Sequence, residues 1–167
     1  LIESALALEK LRYADGMSGG HCAWWDYETF QAEGLAARVL KLHGSIDWSE
    51  LPNDPMPRRI ARGCTLPLGH EQSVLIWPAS TKYRETQRDP YAQLIDLARR
   101  IVHPQSGFQI VLTICGYSFG DSHINIEIER ALRESGGELT MVVFTADEEP
   151  KGELKKLHED KRVTDQV

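Results

Sequence analysis

A histidine beside a glycine is the feature of this sequence most suited to catalysis. His43 begins the segment His43-Gly44-Ser45, and the apolar pattern before it predicts a short strand at 39–42. Because an imidazole titrates near neutral pH, it can accept a proton as a general base. A turn histidine that only hydrogen-bonds to backbone fits the same residues. The residue types alone therefore leave a catalytic and a structural interpretation of His43 open.

A glycine-containing loop is the second candidate. Gly116 and Gly120 flank the segment Tyr117-Ser118-Phe119 and follow an apolar run, and Asp121 can cap the next helix. Glycine lets a backbone approach a ligand closely, and the start of a helix presents free N–H groups to a phosphate or ribose. A generic strand-to-helix turn explains the same residues. The chain contains neither the Gly-x-Gly-x-x-Gly fingerprint nor a Walker-type phosphate loop.

Metal chemistry is not expected. The three cysteines, Cys22, Cys64 and Cys115, are far apart and form no Cys-x-x-Cys pair. The histidines show no ligand-like spacing either. This cysteine usage predicts a reducing, cytoplasmic setting with no disulfide framework and no zinc.

The second half of the sequence predicts the elements that would position these residues. Helices and apolar strands alternate there, which is typical of right-handed βαβ units and a parallel sheet. The predicted elements are a helix after Asp89-Pro90, a strand at 109–115, a helix from Asp121 or Ser122, a strand at 139–144 and a helix at about 149–160. Ligands bind beyond the carboxyl ends of such strands. We therefore expect His43, the loop at 116–121 and Thr145 to face one cleft, provided that their strands lie parallel in one sheet.

The first half is less regular. Its pattern predicts a helix at 2–13, a strand or aromatic-anchored loop at 23–30 and a short strand at 74–77. Residues 49–72 contain four prolines and two glycines, so we expect a long irregular insertion there.

Composition excludes several classes of protein. The 167 residues carry a net charge of −6, with 26% charged and 41% hydrophobic residues, as expected for one globular domain. The acidic balance argues against direct nucleic-acid binding, which normally needs a basic surface. No apolar run approaches the ~18–20 residues that cross a bilayer, so no membrane partner is expected.

Two segments together resemble a known family. Lys41-Leu42-His43-Gly44-Ser45 is similar to the Lys-Leu-His-Gly-Ser motif of bacterial sirtuin-like domains. The segment from Gly116 to Asn125 resembles their second signature, and 77–91 resembles the stretch between the two motifs. The resemblance spans roughly residues 1–145 and is closest to sirtuin-like proteins that partner a HerA-type ATPase in antiphage defence.

This resemblance implies a Rossmann-like α/β fold, a three-layer arrangement with helices on both faces of a parallel sheet. It also implies that the protein binds NAD and breaks the nicotinamide–ribose bond. By the match, His43 is the catalytic histidine, Gly116 and Ser118 line the ribose-phosphate site, and Thr145 and Asn125 lie near the adenosine half. The zinc ribbon of sirtuin deacylases would need Cys-x-x-Cys pairs, and their absence from the sequence favours NAD hydrolysis over protein deacylation.

The start of the chain bears on the same resemblance. Family members carry a glycine-rich phosphate loop and an asparagine-containing motif before the Lys-Leu-His-Gly-Ser motif. Leu1-Ile2-Glu3-Ser4-Ala5-Leu6 resembles the helix that follows that asparagine motif. We therefore expect residues 1–167 to be the C-terminal portion of one sirtuin-like domain that is incomplete at its N-terminus, and we expect this chain alone to be inactive.

The expected function is NAD hydrolysis to nicotinamide and ADP-ribose in a prokaryotic antiphage system, by a homo-oligomer for which the resemblance suggests a HerA-like ATPase as partner. Two alternatives stay open. One is a non-catalytic sensor that binds NAD or ADP-ribose and regulates a partner. The other is an assembly module in which the 49–72 insertion and the charged C-terminal helix contact other subunits.

Overall fold

The chain has a mixed α/β architecture in two compact units, residues 1–95 and 96–167. The computed structural model describes residues 1–61, 72–75, 88–103 and 107–167. Each unit is described below by itself.

An antiparallel sheet forms most of the first unit. It has five strands in the order β2-β3-β6-β5-β7. The strands are β2 (Met17–Ser18), β3 (Cys22–Trp25), β5 (Gly44–Glu50), β6 (Arg58–Ile60) and β7 (Gln72–Leu75). A separate pair, β1 (Tyr13–Ala14) and β4 (Ala37–Arg38), runs in parallel. Helix α1 covers Ile2–Leu8 and a 3-10 helix covers Tyr27–Gln31.

Aromatic side chains build the core of this unit. Trp48 and Phe30 are fully buried. Trp25 packs edge-on against both, with ring centroids 5.8 Å from Trp48 and 6.2 Å from Phe30. Gly16 has φ +81°, and a Cβ there would lie 2.3 Å from the Trp25 ring. The turn before β2 therefore needs a glycine, both for its backbone conformation and for the close approach of Trp25.

The second unit contains one parallel strand pair and the helices around it. Helix α2 (Tyr91–Val102) begins in the first unit and ends in the second. It is followed by β8 (Ile110–Cys115), α3 (Ser122–Glu134), β9 (Leu139–Phe144), α4 (Gly152–Glu159) and a 3-10 helix (Thr164–Gln166). Strands β8 and β9 pair in parallel from Ile110 opposite Leu139 to Cys115 opposite Phe144. Their carboxyl ends consequently lie side by side.

One face of the β8–β9 pair holds the core of the second unit. Its members are Ile114 of β8, Leu139 and Met141 of β9, Ile128, Ala131 and Leu132 of α3, and Leu154 and Leu157 of α4. Successive side chains of a strand point to opposite faces, and here the second face is open. Val111 is 64% exposed and Phe144 is 63% exposed. The expectation that these strands are covered on both faces is therefore wrong for the described residues.

The predicted strand at 39–42 is also wrong. Strand β4 ends at Arg38, and β5 begins only at Gly44. Between them a turn is closed by the Gly44 N–H, which donates to the Lys41 carbonyl at 3.0 Å. Gly44 adopts φ +82°, a conformation that glycine reaches without strain. His43 consequently precedes a strand rather than following one.

Three other elements of the first half differ from their predictions. The helix predicted at 2–13 ends at Leu8, and none of its residues is buried. The segment expected to be an irregular insertion at 49–72 contains strand residues at both described ends and the whole of β6. The strand predicted at 74–77 is β7, which ends at Leu75, and residues 76 and 77 lie outside the described part.

The second half follows its prediction closely. Helix α3 begins after Asp121, whose carboxylate accepts the His123 N–H at 3.1 Å as a helix cap. The parallel pairing of β8 and β9 is confirmed. The single parallel sheet is not, because the described strands form three separate sheets and β5 lies in an antiparallel one. What the described residues show is a mixed α/β fold without a clear three-layer Rossmann-like arrangement.

Candidate functional site

A cavity of about 360 Å³ lies at the carboxyl ends of β8 and β9. The loop after β8 supplies Gly116, Tyr117, Ser118 and Phe119, and β9 with its following segment supplies Val143 to Asp147. Lys151 and Leu154 complete the lining. The parallel pairing of the two strands brings these loops together. Three of the residues singled out in the sequence, Gly116, Ser118 and Thr145, line this one cavity.

Gly116 leaves open space beside the backbone. It has φ +68°, and a Cβ built at this position would meet nothing within 4 Å. A side chain would therefore strain the backbone and would also project into free volume next to the loop. This is the arrangement that permits a ligand to approach a peptide unit closely.

The loop after β8 is held by side chains of its own and of α3. Asn125 donates from Nδ2 to the Phe119 carbonyl at 2.7 Å, and its Oδ1 lies 2.8 Å from the Tyr117 hydroxyl. That hydroxyl is also 3.0 Å from the Asp121 carbonyl. Burial raises the pKa of Tyr117 above its ordinary value, so the hydroxyl stays protonated and can donate at neutral pH.

The described contacts of Asn125 lie within the loop after β8. Both ends of its amide are engaged by the loop, and Asn125 is not among the residues lining the cavity in the described part of the chain. Phe119, which Asn125 contacts, has φ +56° and is buried. The structure therefore places Asn125 as a support for the loop conformation.

The polar side chains of the cavity are the hydroxyls of Tyr117, Ser118 and Thr145, the Lys151 ammonium and the Asp147 carboxylate. The Thr145 hydroxyl accepts the Asp147 N–H at 3.1 Å, and Lys151 Nζ lies 2.6 Å from Asp147 Oδ1. Hydroxyl and cationic groups of this kind can hydrogen-bond a ribose or a phosphate. Sequence reasoning missed Asp147 and Lys151. The sequence signal that could have found them is an acidic and a basic residue four positions apart, just before helix α4.

His43 lies in the first unit, in the turn that joins Lys41 to Gly44. Its residue is half-buried. The expected meeting of His43 with the two loops at 116 and 145 depended on one parallel sheet. Because β5 and the β8–β9 pair belong to different sheets, strand pairing does not supply that meeting.

Several charged side chains surround Lys41, the residue at which this turn begins. The Lys41 side chain is only 10% exposed, and its Nζ lies 2.9 Å from Glu3 Oε1. It is also 3.6 Å from Asp47 and 3.9 Å from Asp15. The ammonium stands 5.7 Å from the centroid of the Trp48 ring, within the range of a cation–π interaction.

Asp15 is the most buried carboxylate of this group, with 4% of its surface exposed. It forms an ion pair with Arg59 and accepts the Met17 N–H at 3.1 Å. Burial raises the pKa of Asp15, and the positive charges of Arg59 and Lys41 oppose that rise. Asp15 and Arg59 are 44 positions apart in the sequence, so the sequence does not predict this contact.

The described residues contain no group of three or more metal-ligating side chains. Cys115 is an exposed free thiol. Cys64, His70 and the basic residues Lys82 and Arg84 lie outside the described part of the chain.

Comparison with known proteins gives one match. A family model described as SIR2-like domain matches residues 1–165. It covers the His43 turn and the cavity residues together. A comparison with curated proteins gave no match.

Proposed function

Because the chain belongs to the SIR2-like domain family, whose function is related to NAD, we propose that the protein carrying it hydrolyses NAD to nicotinamide and ADP-ribose. The observation that carries the proposal is the cavity at the carboxyl ends of β8 and β9, lined by Gly116, Ser118 and Thr145. Parallel strands bind nucleotides at this edge. An open glycine, two hydroxyls and a lysine are suited to a ribose and a diphosphate.

The reaction breaks the bond between nicotinamide and ribose. Such cleavage passes through an oxocarbenium-like state, so the ribose must be held in place while a water or hydroxyl attacks it. In the proposal His43 accepts a proton from that water or from a ribose hydroxyl. Gly116 and Ser118 contact the ribose-phosphate part, and Thr145 contacts the adenosine half. Asn125 acts through the loop that it holds.

The proposal includes a Rossmann-like sheet around β8 and β9. The unit β8–α3–β9 has the strand–helix–strand order and parallel register of that fold.

The motifs of the sequence also suggest a setting. We propose a cytoplasmic homo-oligomer in prokaryotic antiphage defence, with a HerA-like ATPase as a possible partner. This part of the proposal rests on the resemblance of the segments at 41–48 and 116–125.

Substitution of His43 tests the proposed hydrolysis. General acid–base groups typically contribute about 10²–10⁴-fold to a rate. We expect His43→Ala, made in the protein that carries this domain, to lower nicotinamide release from NAD at least ~100-fold. His158→Ala is the matched control, since His158 is exposed on α4. Unchanged turnover in His43→Ala would exclude His43 as the base.

A second candidate function is a sensor that binds NAD or ADP-ribose without cleaving it. The residues lining the cavity in the described part include no histidine, which is compatible with binding alone. Calorimetry with NAD and with ADP-ribose, run beside an assay of nicotinamide release, separates the two functions. Binding without release supports the sensor. A stable oligomer that neither binds nor cleaves NAD supports the assembly module.

A further inference from the structure

We propose that Lys41 and Asp47 are positioning residues, which hold the two sides of the turn that carries His43. We call the contacts among Lys41, Ser45 and Asp47 the turn clamp. The inference rests on the proposed function, in which His43 is the proton acceptor. It adds two residues that touch neither the substrate nor the reacting atoms.

The backbone of the turn begins at Lys41, a residue of the clamp, and ends at Gly44, next to Ser45. The Lys41 carbonyl accepts the Gly44 N–H at 3.0 Å, so Leu42 and His43 form the half-buried corner of a tight turn. Ser45 follows immediately in β5. Its hydroxyl donates to the Asp47 carboxylate two residues further along the same strand.

Asp47 joins the two sides. Its Oδ1 accepts the Ser45 hydroxyl and lies 3.6 Å from Lys41 Nζ. One carboxylate therefore contacts Lys41, where the turn begins, and Ser45, the first residue after it. A short-range ion pair and a charge-assisted hydrogen bond restrict a turn more than a neutral contact does.

Acidic and aromatic side chains surround the Lys41 ammonium and hold it in place. Lys41 Nζ lies 2.9 Å from Glu3 Oε1 and 3.9 Å from Asp15 Oδ2. It also lies 5.7 Å from the centroid of the Trp48 ring. Nine-tenths of the side chain is buried. A buried ammonium is stable only while it is paired, so Lys41 has little freedom to leave this position.

A fixed turn matters because proton transfer depends on distance. A general base must be within hydrogen-bond reach of the proton that it accepts. A displacement of 1 Å can lower a rate by about 100-fold even when the chemical group is retained. A more mobile turn should therefore lower the rate of the chemical step, whereas NAD binding by the cavity residues Gly116, Ser118 and Thr145 continues.

The test compares three substitutions of the clamp in the protein that carries this domain. We expect Lys41→Met and Asp47→Asn each to lower kcat for nicotinamide release at least about tenfold, with KM for NAD changed by less than about twofold. Lys41→Arg retains the charge and should recover most of kcat. Asp54→Asn is the matched control, because Asp54 pairs with Arg58 at 2.6 Å outside the clamp.

The double variant Lys41→Met/Asp47→Asn gives an additional criterion. If both residues act through one turn, their effects on kcat are not additive. The kcat of the double variant is then only slightly below that of the single variant with the lower kcat. Multiplied effects would show two independent roles and would contradict the clamp.

The outcomes distinguish this inference from the proposed function. Unchanged turnover in His43→Ala overturns the role of His43 in the proposed function. Loss of turnover in His43→Ala with full kcat in folded Asp47→Asn overturns the clamp alone. Thermal unfolding identifies any variant that fails to fold, and if Lys41→Met is such a variant, Asp47→Asn decides by the same criterion.

A readout independent of activity completes the test. In the NMR spectrum of the unliganded protein, we expect one sharp set of His43 imidazole signals. In Asp47→Asn those signals should broaden or split, whereas Asp54→Asn should leave them unchanged. Identical His43 signals in all three proteins would overturn the clamp even if the protein has no NAD turnover.

Discussion

Asn125 shows how the role of a single residue depends on its hydrogen-bond partners. The motif resemblance places this residue near the adenosine half of NAD. In the structure, its amide joins the Phe119 carbonyl to the Tyr117 hydroxyl at 2.7 and 2.8 Å. An amide with both ends satisfied inside the protein gains little by turning to a ligand. These contacts hold the loop that contains Gly116 and Ser118.

We expect Asn125→Ala to lower the free energy of unfolding by about 1–2 kcal/mol. The substitution removes a hydrogen bond and leaves a loop carbonyl without its donor. Ile126→Ala is the control, since Ile126 is the next residue of α3 and is 56% exposed. Urea denaturation measures both variants. Equal stability of Asn125→Ala and Ile126→Ala would show that the amide does not hold the loop.

At the scale of elements, the local sequence predicts both the ends of helix α3 and its buried face, whereas it does not predict that α1 stays exposed. Asp121 caps α3, and the apolar positions Ile128, Ala131 and Leu132 are buried against the β8–β9 pair. Helix α1 has a similar apolar pattern, yet none of its residues is buried. A periodic pattern predicts that a helix forms, but it does not identify the surface that will cover it.

The ion pair between α2 and α3 should make stability depend on pH. Arg99 donates to Glu127 at 2.6 Å, and this contact is the main cause that lowers the Glu127 pKa below its ordinary 4.5. Arg130 and His103 add smaller effects in the same direction. A carboxylate with a lowered folded pKa stabilises the fold above its unfolded pKa, and that contribution disappears as the pH falls through the folded pKa.

We therefore expect Glu127→Gln to reduce the free energy of unfolding at pH 7 and to have a smaller effect in acid, well below pH 4.5. Chemical denaturation at a series of pH values measures the difference. Glu148→Gln, an exposed residue with the same change of charge, serves as the control. If Glu127→Gln lowers the free energy of unfolding equally at pH 7 and in acid, the ion pair is not the cause of the change.

The whole molecule combines two compact units with an overall acidic charge. Residues 1–95 hold the His43 turn, and residues 96–167 hold the cavity. No helix in the described ranges has the length and apolar character that a membrane span requires. The net charge of −6 opposes contact with a polyanion, and the basic residues of the second unit are largely engaged in ion pairs such as Arg130–Glu134.

We propose that this chain does not bind nucleic acid directly. A charge of −6 disfavours the phosphate contacts that supply most non-specific affinity. We expect no shift of double-stranded DNA or RNA in a mobility assay at low salt, where such contacts are strongest. Retention that weakens as salt is added would contradict this expectation.

Much of the second unit could be predicted from the sequence because its signals are local. The cap at Asp121, the apolar strands β8 and β9 and the glycines after β8 are each recognised from a few neighbouring residues. Parallel pairing then places Gly116, Ser118 and Thr145 at one edge, which is why three of the five expected site residues line one cavity. The Lys41-to-Ser45 motif likewise identified the family from residue identities alone.

Only the tertiary structure decided the rest. The antiparallel pairing of β5 depends on strands distant in sequence, so the pattern at 39–42 could not show that His43 lies in a turn before a strand. The charges around Lys41 include Glu3 and Asp15, which lie far from the Lys41 motif in the sequence. Sequence determines which groups are available for chemistry, because residue type sets charge and hydrogen-bonding capacity. Folding determines which of them meet, because long-range contacts are selected by packing the whole chain.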